Sequence, residues 1–289
     1  LSRIEQRLMK PKRKRVSECM KPIVTVDGLA ARLGAPDLVV VDCRQDCSDE
    51  SIPGAVCLGL AGGMCGPVRE HGGRHPLPDL GTFSLLLGEL GIGSDTDVVA
   101  YDDQGGAVAA RLWWMLTFLG HKRAFVLDGG HGAWKRAGRP TGGGAARTAP
   151  RRFSPRVHTA MMIAADELRN KLGAPGTVLI DSREPARFAG EGDPIDGIAG
   201  SIPGAINRYW KEALDGRGFF KPAEEQAARF AGIGLDDEVI VYSGSGVTAC
   251  VNVLALKMAG FRNVRLYVGG WSDWISYPEN PIETGGERA

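Results

Sequence analysis

The chain has 289 residues, with 35 Lys and Arg against 34 Asp and Glu, a net charge of +1, and 43% hydrophobic residues. This balance provides no global field to gather nucleic acid or a membrane surface, and no apolar run is long enough to span a bilayer. The length suffices for two domains of ordinary size, each with its own core.

The first 21 residues, LSRIEQRLMKPKRKRVSECMK, hold eight Lys or Arg and two acids. Such a like-charge run reads as a solvated, disordered tail, with a nuclear-localisation-like patch or the remnant of an expression leader or an upstream start as the other readings. Met20 reads as a natural start, because the structured part opens at residue 22. There is no secretory signal, and the expected compartment is the cytoplasm. Six cysteines are present: Cys19, Cys43, Cys47, Cys57, Cys65 and Cys250. Four of them follow the spacing C-x3-C-x9-C-x7-C. Free thiols are the simplest reading; a zinc site with unusual spacings and disulfide pairing stay open. No metal and no cofactor is expected.

Beyond the tail the chain repeats itself. LVVVDCR (38–44) pairs with TVLIDSR (177–183), and SIPGAV (51–56) with SIPGAI (201–206). The run from Asp97 pairs with the run from Glu238, and VLDGGHGAW (126–134) with LYVGGWSDW (266–274). The offsets are 139, 150, 141 and 140, so order is kept and only loop length drifts. In each half, apolar β-rich runs alternate with amphipathic helices, which predicts α/β domains, each a mainly parallel sheet flanked by helices. The expected divisions are a first domain at 22–140, a Gly-, Pro- and Arg-rich linker at 141–160, and a second domain at 161–285. Arg44 and Arg183 follow the strand aspartates and are expected to form internal ion pairs. Trp113, Trp114, Trp134, Trp271 and Trp274 are expected to pack in cores and interfaces.

In an open α/β sheet, ligands bind beyond the carboxyl ends of the strands. EVIVY (238–242) leads to such an end, and SGSGVT (243–248) turns from it straight into a helix near Ala249. Gly244 and Gly246 let the backbone curl so that successive amides point inward, forming with the helix N-terminus a nest for an anion. A cysteine at the head of such a nest would have its thiolate stabilised. The head of this one is Ser243. The matching loop of the first half begins with Asp102 and Asp103, which argues against an anion role there. Cys250, seven residues after Ser243, reads as a small core residue.

The twofold repeat, Asp-x-Arg followed by Ile-Pro-Gly-Ala in each half, and the GSGVTAC loop resemble the two-domain rhodanese family of sulfurtransferases, over roughly residues 22–285. The resemblance implies that a loop cysteine takes a sulfane sulfur from thiosulfate or 3-mercaptopyruvate, becomes a persulfide, and passes the sulfur to cyanide or a thiol. It places Ser243 at the nucleophile position. Gly244, Gly246, Val247 and Thr248 belong to the persulfide cradle, and Ser245 matches the proton-transfer serine of the mercaptopyruvate branch. His75 in GGRHPLP matches the first-domain histidine that reaches this serine, and Arg187 the arginine that binds the donor's anionic end. The implied partners are a small anionic sulfur donor and a thiol or cyanide acceptor, with no nucleic acid, no membrane, and a monomer as the expected state.

Four departures from the family pattern stand out. Ser243 replaces the cysteine, so the chain is expected to be inactive as written, whether that exchange is natural or introduced. Gly59 falls where an aspartate would complete a triad with His75. Ile195 falls where a second substrate arginine would stand. The loop before the first Ile-Pro-Gly-Ala is short. An alternative reading is a rhodanese-like pseudoenzyme that senses an anion or docks a protein. A phosphatase ranks below both, because its loop would end in an arginine and none occurs here through Ala249.

Overall fold

The computed structural model describes residues 22–47, 50–143 and 148–285; the basic tail, with Cys19 and Met20, lies outside them. The first half runs β1 (Ile23–Val24), α1 (Val26–Ala30), β2 (Leu38–Asp42), β3 (Val56–Cys57), α2 (Leu80–Glu89), β4 (Asp97–Tyr101), α3 (Ala107–Phe118), β5 (Ala124–Leu127) and α4 (Gly130–Arg136). The second runs β6 (Met162–Ile163), α5 (Ala165–Lys171), β7 (Thr177–Asp181), α6 (Pro185–Ala189), β8 (Ile206–Asn207), α7 (Ala223–Arg229), β9 (Glu238–Tyr242), α8 (Ala249–Met258), β10 (Val264–Tyr267) and α9 (Gly270–Trp274).

Each half forms one five-stranded sheet, ordered β1-β5-β4-β2-β3 and β6-β10-β9-β7-β8, and every pairing is parallel. The reason is visible in the strands. LVVVD, DVVAY, TVLID and EVIVY are near-continuous β-branched runs, the pattern of strands covered on both faces. The repeat extends to register: Leu38 to Asp42 pairs with Asp97 to Tyr101, and Thr177 to Asp181 with Glu238 to Tyr242.

Helices α3 and α8 are buried almost all round, as expected of helices enclosed on every side. They pack on each other, joining the halves through one continuous core. The five tryptophans named above are all buried, and four of them are wholly inaccessible. The stretch expected to drape as a linker docks on the first half. Phe153 is buried, and the backbone amides of Arg151, Arg156 and His158 donate to carbonyls of Gly88, Leu119 and Phe118.

The strand-end arginines behave as expected. Arg44 binds Asp42 at 2.6–3.2 Å. Arg183, its side chain 1% exposed, binds Asp181 at 2.7 Å and lies over the Trp271 ring. Helix α7 ends at Arg229, ahead of Gly232 and Gly234, the first of which has a positive φ.

Among the cysteines the simplest reading needs correction. Cys47 and Cys57 form a disulfide, while Cys43, Cys65 and Cys250 are free. The bridge takes two of the four sulfurs of the spacing discussed above, and among the described residues no group of three or more His, Cys, Asp or Glu is placed to hold a metal ion. No described helix is long and apolar enough to cross a membrane.

Candidate active site

Strand β9 delivers the chain to the carboxyl edge of the second sheet, and residues 243–248 turn there into α8. The turn is wedged against the segment joining β10 to α9. The amide of Trp271 donates to the Ser243 carbonyl at 2.7 Å, and that of Ser272 to the Gly244 carbonyl at 2.9 Å. Gly246 has φ +74°, and a Cβ there would run into the Val268 carbonyl. Only glycine therefore satisfies both the backbone angle and the close approach.

No side chain caps α8. The amides of residues 244–248 donate to no protein acceptor among the described residues, and Ser243 Oγ accepts only the Ala249 amide, at 3.3 Å. Amides left open at a helix N-terminus are the backbone chemistry that an anion nest requires. The first half shows the same device filled from within: the Asp102 carboxylate accepts the amides of Gln104, Gly106, Val108 and Ala109 at 2.8–2.9 Å. The acid that argued against an anion role for that loop occupies its nest.

Two sequence-predicted residues from opposite halves meet at this loop. His75 Nδ1 lies 2.8 Å from Ser245 Oγ. Burial disfavours the charged imidazole, and the guanidinium groups of Arg74 and Arg111 add to the effect, so His75 titrates below the usual histidine range. The His75 carbonyl accepts from Arg111 at 3.2 Å.

Arg187 also reaches the loop, but not as a free anion binder. It donates to Asp193 at 2.9 and 3.0 Å and to Asp196 at 2.8 Å. Ile195 points to solvent, 60% exposed. Cys250 is fully buried, its Sγ directed at the Gly246 carbonyl, and burial pushes its thiol up to about 11; it is a core residue, as expected. Val247 is buried against the loop and Thr248 is half-buried.

Sequence reasoning missed three contributors. Arg74 forms an ion pair with Asp196 across the halves. Asp193, its side chain wholly inaccessible, braces both Arg183 and Arg187. The segment 71–75 is fastened to α9: the Gly72 amide donates to Asp273 at 2.6 Å, the Arg74 amide to Ser272 at 3.1 Å, and His71 stacks on Tyr277. The one available signal was the position of Arg74 next to His75.

Two parallel α/β domains with a strand-to-helix anion loop in the second define a tandem rhodanese architecture, and the Rhodanese-like domain model matches residues 25–137 and again 164–277. The chain belongs to that family. It is similar to the probable 3-mercaptopyruvate sulfurtransferase of Pseudomonas aeruginosa, with 43% identity over 91% of this chain and 98% of that one. The putative thiosulfate sulfurtransferase SseB of Mycobacterium tuberculosis is 37% identical over 91% and 97%. Among solved structures, the 3-mercaptopyruvate sulfurtransferase SseA of Escherichia coli superposes with a TM-score of 0.75 at 29% identity, over 88% of this chain and all of that one.

Proposed function

We propose that this site is built for sulfur transfer from a small anionic donor to cyanide or a thiol, with position 243 as the sulfur carrier. A cysteine thiolate there would attack the outer sulfur of thiosulfate, breaking the S–S bond and releasing sulfite, or the sulfur of 3-mercaptopyruvate, breaking the C–S bond and releasing the pyruvate enolate. The amides of 244–248 would stabilise the thiolate and then the persulfide. In the second case the enolate needs a proton at carbon, which the Ser245–His75 pair is placed to relay. An acceptor then attacks the outer sulfur and restores the thiolate.

Ser243 interrupts this sequence at its first step. A serine hydroxyl hardly ionises near neutral pH, no general base contacts its Oγ among the described residues, and oxygen cannot carry a persulfide. The chain as written keeps the cradle and lacks the carrier. The observation that carries this reading is the set of five amides, without protein acceptors among the described residues, in the turn that starts at position 243, beside a histidine–serine pair drawn from both domains. The names of the relatives divide between mercaptopyruvate and thiosulfate, so both donors belong in the test.

The experiment is intact-mass measurement of Ser243→Cys after incubation with each donor. A gain of one sulfur atom on the thiol variant alone is expected. No gain with either donor would favour the second reading, a pseudoenzyme that binds an anion or a protein; the closed state of Ser243, 1% exposed, is what speaks for that reading.

A further inference from the structure

We infer that the mouth of this loop is an anion subsite built across the two domains, in which Arg74 supplies the second guanidinium beside Arg187 and Asp196 is an internal carboxylate that the donor's anionic end replaces. The inference rests on the sulfur-transfer reading for its substrate, but not for its anion chemistry.

A Cβ placed on Gly244 would lie 3.1 Å from a terminal nitrogen of Arg74, 3.2 Å from one of Arg187 and 3.4 Å from Asp196 Oδ2. These three groups therefore lid the loop directly above its first nest residue, and Ser243 beneath them is almost wholly shielded. Ile195 faces solvent and contributes no cation, so the second positive charge at the mouth comes from the other domain.

Arg74 is not a surface side chain that happens to pass by. Its own amide, that of Gly72, and the His71 ring are all tied to α9 or to the residues that follow it. Gly73 has φ +75°, and a Cβ there would strike the Gly269 carbonyl. The approach that brings in His75 thus fixes Arg74 as well.

The two acids at the mouth are held differently. Asp193 accepts from Arg187, from Arg183 and from the amides of Ile195 and Asp196. It is a fixed brace. Among the described residues the Asp196 carboxylate, 2% exposed, pairs only with Arg74 and Arg187, and it sits on a short turn closed by the Gly197 amide on the Asp193 carbonyl. With Arg183 paired to Asp181, Arg74 and Arg187 are balanced by Asp193 and Asp196. Removal of Asp196 leaves one net positive charge beside the amide nest, a setting for a small oxyanion. The carboxylate seated there marks the geometry such a ligand would take.

The test measures sulfur loading of Ser243→Cys against donor concentration, together with thermal shifts of the unmodified chain in thiosulfate. In the thiol background, Arg74→Gln is expected to raise the half-loading concentration at least tenfold with little change in the maximal rate, and Arg74→Lys to recover part of the loss. Asp196→Asn is expected to lower that concentration several-fold. In the unmodified chain, Arg74→Gln is expected to abolish the thiosulfate-induced rise in Tm. An unchanged half-loading concentration in Arg74→Gln, or a loss in Asp196→Asn as large as in Arg74→Gln, would overturn the inference. If Ser243→Cys takes up no sulfur, the sulfur-transfer reading fails, and the thermal shift alone decides: its persistence in Arg74→Gln overturns the subsite, its loss supports it.

Discussion

His75 and Ser245 are 170 residues apart in the chain and 2.8 Å apart in space, Nδ1 to Oγ, one from each domain. The contact is possible because Gly72, Gly73 and Arg74 are fastened to the second domain just ahead of His75. It also sets the protonation of the pair. No carboxylate raises the histidine, whereas burial and two guanidinium groups lower it. Folded-state protonation is therefore harder than in the unfolded chain, where histidine titrates near 6.5. The unfolded chain binds more protons in the window below that value, so stability falls as pH drops through it. His121, also lowered chiefly by burial, acts in the same direction. Comparing Tm from pH 7.5 to 5.5, the unmodified chain should lose more than His75→Gln, and the gap between them should change below pH 6.5. A constant gap would mean that His75 is not held in the neutral form.

The two halves place different residues at the head of equivalent loops, and the energetic consequences differ. Asp102 satisfies four amides, three of them buried, so Asp102→Ala strands them and should cost about 3 kcal/mol or more by urea unfolding. Ser243 Oγ has one long contact, and Ser243→Ala should cost about 1 kcal/mol or less. Equal costs would contradict the idea that only the first nest is filled from within.

Arg111 is fully buried on α3, and its Nε and Nη1 have no hydrogen-bond partner among the described residues. Its third nitrogen holds the His75 carbonyl, and its guanidinium lies near the Trp114 ring. A buried cation without a carboxylate is expensive. Arg111→Met should raise stability by removing that cost, while sulfur loading of Ser243→Cys slows because His75 loses an anchor. A fall in Tm would show that the charge has a compensating partner.

The Cys47–Cys57 bridge, at a sequence separation of 10, closes a short loop. The chain-entropy relation gives about 2–3 kcal/mol for a loop of this size. Unfolding of the oxidised and reduced protein should differ by that amount, and Cys47→Ser should abolish the difference.

Much of the fold was legible because its strands carry continuous β-branched runs and because the chain states its pattern twice. The loop at 243–248 was legible from glycines at a strand-to-helix junction. The mouth of the site was not. Arg74 and Asp196 meet between segments 120 or so residues apart, Asp193 braces two arginines of its own segment, and neither periodicity nor spacing encodes which ion pairs form. Arg187 does lie beside the loop, but nothing in the spacing of its segment marks the two aspartates that already hold it. The disulfide was hidden for a similar reason: pairing depends on Cα separation, and Cys47 and Cys57 meet only because β3 lies against β2.

On the reading proposed above, position 243 is the sulfur carrier, and Ser243 alone keeps the loop from loading sulfur. The deciding measurement is thiocyanate formation from thiosulfate and cyanide, and pyruvate release from 3-mercaptopyruvate, by Ser243→Cys beside the unmodified chain. Turnover with at least one donor by the thiol variant, and none by the serine chain, is the predicted result. Equal rates for the two proteins, or no turnover by the thiol variant with either donor, would contradict the claim.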